Sequence, residues 1–136
     1  MSTLPTPTPL VTSANKEFWD ATADGRFQLQ RCTDCDIVLW FPRRQCSTCW
    51  NENLATFDAS GKGTVYSFTI VRKGAMDYKD ASPFVIAYVE LEEGPRVMTN
   101  IVGCDPESVT VGMPVEMVFH DTGAGNALYR FQPASR

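Results

Sequence analysis

Cys32, Cys35, Cys46 and Cys49 form two C-x2-C pairs separated by ten residues, and no other feature constrains the chain so tightly. Each C-x2-C turn can aim two thiolates at one point. Two such turns brought together make the tetrahedral sulfur cage that Zn2+ prefers, at about 2.3 Å per bond. The ten-residue spacer is shorter than the roughly 15–20 residues of a common zinc spacing, so the chain between the pairs must be a tight hairpin. Two disulfides are the competing reading. A C-x2-C pair bonded to itself is a redox motif that needs a thioredoxin-like βαβ setting, which this sequence lacks, and a reducing cytosol disfavours disulfides. A cytoplasmic location is expected because no apolar run approaches the roughly 20 residues that span a bilayer. The opening MSTLPTPTPLVTS also lacks the basic flank and apolar stretch of a secretory signal. Iron competes for the same cage, since four sulfurs also serve rubredoxin-type electron transfer. Four protein ligands leave no open coordination position, so the expected role is structural and the expected metal Zn2+. A ribbon of this size has too small a core to fold unaided, and metal binding in such modules supplies on the order of 10–16 kcal/mol.

At 136 residues and 15.1 kDa, the chain is one ordinary domain or a small domain with a stapled appendage; two large independent domains are excluded. Residues 1–12 alternate Pro5, Pro7 and Pro9 with Thr and Leu, and predict an extended or disordered arm. Residues 13–25 predict a docking helix at about 14–23, with Ser13 or Asn15 as cap and Gly25 as stop. Phe18 and Trp19 give this short helix more apolar surface than it can hide alone. It must dock on its own domain or on another chain. Residues 26–59 carry the cysteines on short segments and read as the ribbon. From residue 60 to 133 the pattern turns to strands: Tyr66, Phe68 and Ile70 alternate with Ser67 and Thr69, and runs follow at 84–91, 96–103, 114–120 and 128–132. Five short strands suit a small closed barrel or an open sandwich, because periodicity specifies strands and not their closure.

Chemistry-bearing groups are scarce in the rest of the chain. His120 is the sole histidine and is followed by Asp121, so a triad with Cys104 is conceivable. The blander reading is stronger, because a free cysteine at the end of an apolar run is usually a small core residue. Glu92, Glu93 and Glu107 fall in turn segments, where solvated charge is the ordinary state. Ser60-Gly61-Lys62-Gly63 is too short for a phosphate loop and opens a strand rather than a helix. No catalytic residue is therefore expected on this chain.

The ordered series of an aromatic helix, GRFQLQRCTDC, FPRRQCSTC, SGKGTVYSFTIV, FVIAYVEL, GPRVMTNIVG and VGMPVEMVF resembles one family over about residues 14–133. This is DUF35, whose members pair a rubredoxin-like zinc ribbon with an oligonucleotide/oligosaccharide-binding (OB) fold and are associated with acyl-CoA metabolism. The resemblance implies a mainly β protein with a short N-terminal helix, a zinc ribbon and a five-stranded OB barrel. It also implies a thiolase-like partner subunit that carries the catalytic residues, in a hetro-oligomer acting on an acyl-CoA. Such a complex cleaves or forms a carbon–carbon bond next to a CoA thioester, as an aldolase or thiolase, in steroid side-chain or other acyl-CoA degradation. The positions carried over are the metal ligands Cys32, Cys35, Cys46 and Cys49. Phe18, Trp19 and Trp40 are candidate partner contacts, in the helix-in-groove manner for the first two. Arg43 and Arg44 are candidates for the phosphates of a CoA ester at the partner interface.

Two other classes remain in play. Read at face value, OB barrel and ribbon suit a nucleic-acid reader in which Tyr66, Phe68, Tyr88 and Phe119 stack bases. The charge opposes it: the whole chain carries a net charge of -4, and residues 60–133 hold six cations, Lys62, Arg72, Lys73, Lys79, Arg96 and Arg130, against nine acids. No nucleic-acid or membrane partner is expected. Electron transfer by an iron-filled ribbon depends wholly on the metal.

Overall fold

The computed structural model describes residues 4–134. Helix α1, Lys16–Thr22, is shorter than the predicted 14–23, because Asn15 turns its side chain away from the helix. Its Oδ1 accepts from the Thr12 N–H at 2.7 Å and its Nδ2 donates to the Leu10 carbonyl, so the cap residue ties down the arm instead. Gly25 ends the helical turn as expected: at φ 72 it donates to the Thr22 carbonyl, while Arg26 N–H reaches back to the Ala21 carbonyl at 3.1 Å. These paired bonds are the Schellman arrangement, which favours a residue without Cβ at the left-handed position.

The ribbon is a small antiparallel sheet of β1 (Gln28–Cys32), β2 (Val38–Leu39) and β3 (Leu54–Asp58), in the order β2-β1-β3. The strands β4 (Lys62–Val71), β5 (Phe84–Leu91), β6 (Arg96–Ile101), β7 (Pro114–Asp121) and β8 (Ala127–Pro133) form a closed barrel in the order β4-β5-β6-β8-β7. The choice between barrel and sandwich is thus resolved toward closure. Long β4 makes it possible by pairing with β7 at Lys62–Thr64 and with β5 as far as Val71. Gly63 sits where that strand is pinched: a Cβ there would lie 2.7 Å from both the Glu90 carbonyl oxygen and Val89 Cγ1. The last seam is the thinnest, with β6 and β8 running parallel and paired at Ile101 and Phe131.

Alternation in β5 sends Val85, Ala87, Val89 and Leu91 inward, where they meet Val65, Val97, Ile101, Val115 and Phe131. Tyr66 departs from its expected face. The register shifts between Val65 and Ser67, and this bulge turns Tyr66 out to 49% exposure while Phe68 and Ile70 still pack against the core. Arg96 covers the Tyr66 ring at 3.8 Å and pairs with Glu90 at 3.0 Å, so the cation nearest the exposed aromatics is already neutralised.

Helix, ribbon and barrel meet in one aromatic cluster. Phe18 lies 5.0–5.1 Å, centroid to centroid, from Trp19, Phe27 and Trp40, and 6.1 Å from Tyr129. Phe18 is 2% exposed and Trp19 7%, so the apolar excess on the helix is spent inside its own chain. Of the two docking alternatives, its own domain or another chain, the helix takes the first, and these two side chains leave little surface for a partner to reach. Burying them contributes about 1.5–3 kcal/mol each before ordering costs. Thr22 fixes the docking angle by donating to the Trp19 carbonyl and accepting from the Ala127 N–H at the start of β8. The described part of the Pro-rich arm up to residue 12 has neither helix nor strand, and its Leu4 packs on Ala81 and Phe84; residues 1–3 of the predicted arm lie outside the described residues. No described helix is long and apolar enough to cross a membrane.

Candidate metal centre

Both cysteine pairs sit on turns of the same design. In the first, Asp36 N–H donates to the Cys32 carbonyl at 2.8 Å and Cys32 N–H to the Ile37 carbonyl at 3.0 Å. In the second, Trp50 N–H donates to the Cys46 carbonyl at 3.0 Å and Cys46 N–H to the Asn51 carbonyl at 2.8 Å. Each turn closes on a left-handed residue just after its second cysteine, Asp36 at φ 63 and Trp50 at φ 67. Sequence reading missed these two residues, because the usual signal is a glycine and neither position has one. Leu39, Leu54 and Ile37 pack around the buried Cys32 and Cys46, supplying the small core under the turns.

The four sulfurs lie within 4.8 Å of one another, with Cys32 to Cys49 and Cys35 to Cys46 each at 3.5 Å. A regular tetrahedron with bonds of about 2.3 Å has edges of about 3.8 Å, so the donor set fits one tetrahedral ion. Electrostatics point the same way. Backbone N–H groups of Cys49 and Thr48 pull the Cys46 thiol down to about 6, and the Thr48 N–H lies 3.4 Å from its sulfur. Burial and the neighbouring Cys46 thiol push Cys35 up to about 12. Thiols this close cannot ionise together without a cation among them. The structure thus brings together all four predicted ligands in a closed site, suited to holding a fold rather than to activating a substrate.

The other candidates are dispersed. Trp40 is half-buried in the aromatic cluster, 4.8 Å from Phe27, and its neighbour Phe41 is 40% exposed. Arg43 and Arg44 are exposed. The backbone of Arg43 exchanges two 2.9 Å hydrogen bonds with the Gln30 side chain, and the Arg44 guanidinium donates to Ser13 Oγ at 2.7 Å. Cys104 is half-buried against the core. His120 Nδ1 accepts from Arg130 Nη1 at 2.9 Å, which makes the ring neutral with its proton on Nε2. Asp121 accepts from the Gly123 N–H, so it orients a turn and not a catalytic base.

Residues 19–55 match the family described as the ChsH2 rubredoxin-like zinc ribbon domain, and residues 57–120 match the ChsH2 C-terminal OB-fold domain. A DUF35 domain-containing scaffold protein of Methanocaldococcus jannaschii is 40% identical over 110 residues, covering 76% of this chain and 78% of that protein. The benzoylsuccinyl-CoA thiolase subunit BbsA of Geobacter metallireducens is 35% identical over 94 residues, covering 64% of this chain and 62% of BbsA. Among solved structures, one described as the Ltp2-ChsH2(DUF35) aldolase superposes with a TM-score of 0.84 at 31% identity, over 94% of this chain and all of that one. With the sulfur cage, the closed barrel and these matches agreeing along nearly the whole sequence, the chain belongs to the DUF35 family of zinc-ribbon and OB-fold proteins.

Proposed function

We propose that this chain is a non-catalytic, zinc-organised scaffold subunit that joins a thiolase-like protein in a hetero-oligomer acting on an acyl-CoA. The observation that carries the reading is the end-to-end likeness to the DUF35 chain of an aldolase, together with a relative named as a thiolase subunit. The chain's own chemistry supports it. Its one metal cluster among the described residues is saturated by four cysteines, and its histidine is engaged with an arginine instead of a nucleophile. Zn2+ is the ion proposed for the cage, because a permanent +2 charge with no redox chemistry is what a structural site requires. The carbon–carbon bond chemistry next to the CoA thioester belongs to the partner. Contact with that partner is assigned to the exposed ribbon aromatics Phe41 and Trp50, with half-buried Trp40 behind the first. Arg43 and Arg44, neither in an ion pair among the described residues, are proposed to face the phosphates of the CoA ester.

Co-expression with a thiolase-like chain from the same genome tests this reading. A stoichiometric complex on size exclusion, with carbon–carbon bond activity that depends on both chains, is the expected result. A chain that stays apart and leaves the thiolase-like activity unchanged overturns it, as does thioester turnover by the purified chain alone.

A further inference from the structure

The N-terminal arm is held at two points and unbonded between them. At its root, Asn15 accepts from the Thr12 N–H and donates to the Leu10 carbonyl. Further out, Leu4 is buried on Ala81 and Phe84, and the Pro5 carbonyl accepts from Arg130 Nη2 at 2.6 Å. Among the described residues, no hydrogen bond holds residues 6–9. Leu4 is also one wall of a cavity of about 640 Å³, which Ile101, Val102, Cys104, Phe119 and His120 line from the barrel. The arm therefore lies as a strap over Arg130, which is 1% exposed, and over this cavity.

The bond to Pro5 is one link of a chain. Arg130 Nη1 donates to His120 Nδ1 at 2.9 Å, and Nη2 lies 3.4 Å from the Tyr78 hydroxyl. A guanidinium is planar and rigid, so Nη1 and Nη2 cannot move independently. Whatever displaces Arg130 from His120 also disturbs its bond to the arm. The neutral ring serves Arg130 because Nδ1 is an acceptor; a proton taken from solvent makes both ring nitrogens donors. Two N–H groups and two positive charges would then meet at hydrogen-bond distance in a covered site. Facing the ring are Arg130 from β8 and Cys104 from the loop after β6, with Tyr78 of the loop after β4 beyond Arg130. Asp121, next along β7, accepts from the Gly123 N–H, and Glu116, earlier on that strand, accepts from Gln132. The wall of the cavity beside the ring holds no charged side chain among the described residues, so nothing there offsets a second cation.

We propose that His120, Arg130 and Pro5 form a pH-sensitive latch: a proton on His120 Nδ1 turns Arg130 away, breaks its bond to the Pro5 carbonyl and frees the arm, which uncovers Arg130 and the cavity behind Leu4. The arm is the part that yields, because the other neighbours of the two cations are barrel strands locked in their ladders, whereas the arm has neither helix nor strand. Lifting it returns both charges to water, which removes the cost of keeping them covered. Burial and then the Arg130 charge hold the His120 pKa below its ordinary value, so the latch opens below about pH 6.5. The device belongs to the isolated chain and stands or falls separately from the proposed function.

The test is an NMR titration of the full-length, metal-loaded chain from about pH 8 to about pH 5, with metal content checked at each step. The single histidine gives one ring resonance whose shift reports its own protonation. Leu4 and Thr6 report the arm, through the contact of the Leu4 methyls with the Phe84 ring and through backbone order parameters. The Leu4–Phe84 contact should vanish, and the Thr6 order parameter fall to below about 0.6, at the same midpoint as the His120 titration. His120→Asn, which keeps an acceptor for Arg130, should hold the arm down across the whole range. Protonation and opening are linked, so Leu4→Ala, which loosens the arm without touching the ring, should raise the His120 pKa toward about 6.5. An arm that stays in place while His120 titrates, a histidine that stays neutral to the end of the range, loosening that persists in His120→Asn, or a His120 pKa indifferent to Leu4→Ala overturns the proposal.

Discussion

Replacing Phe18 by Ala separates internal packing of the helix from docking on a partner. The ring is 2% exposed and touches the helix, ribbon and barrel through Trp19, Phe27, Trp40 and Tyr129. Loss of transfer free energy alone costs about 2–3 kcal/mol. The cavity left among stiff aromatic neighbours, which cannot collapse into it, raises the expected total to about 4 kcal/mol, inside the roughly 3–5 kcal/mol range for buried Phe→Ala changes. With a urea m-value of about 1–3 kcal/mol/M, the midpoint should fall by about 1.3–4 M. The assay is urea denaturation of the isolated, metal-loaded chain, followed by near-UV circular dichroism for the aromatic cluster and far-UV for the barrel. A partner-inserting Phe18 would behave oppositely, leaving the isolated chain's midpoint in place and weakening only the complex. A loss below about 1 kcal/mol in the isolated chain refutes the reasoning.

Gly63→Ala places a Cβ 2.7 Å from the Glu90 carbonyl oxygen and Val89 Cγ1, and should lower stability by about 1–3 kcal/mol in thermal unfolding; no loss would mean that β4 and β5 are not pinched there. Trp50→Gly relieves a left-handed backbone at a 74% exposed side chain, so the isolated chain should gain about 0.5–1 kcal/mol by urea denaturation; destabilisation contradicts the strain argument. Burial and then the Arg130 charge lower the His120 pKa. Because the unfolded chain takes up that proton first, stability should fall as pH drops below about 6.5, the unfolded value. His120→Asn, which keeps an acceptor for Arg130, should flatten that part of the pH–stability curve, and an unchanged slope would remove His120 from the account.

Local signals in the sequence were enough wherever one face of an element is buried in a regular way. FVIAYVEL alternates and is β5 at its predicted limits, and the cysteine spacing alone identified all four sulfurs of the cage. The misreadings arise where a non-local contact decides. Tyr66 points outward because of a bulge that two-residue periodicity cannot register, and the aromatics of α1 turn inward because Trp40 and Tyr129, distant in sequence, complete their pocket. Arg130 is the clearest case. In LYRFQ it alternates with core-facing Tyr129 and Phe131 and should face solvent, but Pro5 of the arm and Tyr78 of a loop cover that outer face and bury it. Asp36 and Trp50 escaped notice because neither is a glycine: aspartate tolerates the left-handed region without requiring it, and nothing in a tryptophan announces it.

The claim on which the rest depends is that a metal held by Cys32, Cys35, Cys46 and Cys49 builds the ribbon and, through Phe27 and Trp40, seats α1 on the barrel. Hydrogen exchange measured by NMR before and after stripping the metal with a strong chelator, with metal content determined by mass spectrometry, tests it most directly. One zinc per chain is predicted, and its removal should abolish amide protection across β1–β3 and loosen α1 while β4, β5 and β6 keep theirs. A metal-free chain whose ribbon amides remain protected, or a chain purified with stoichiometric redox-active iron in the cage, would contradict the account.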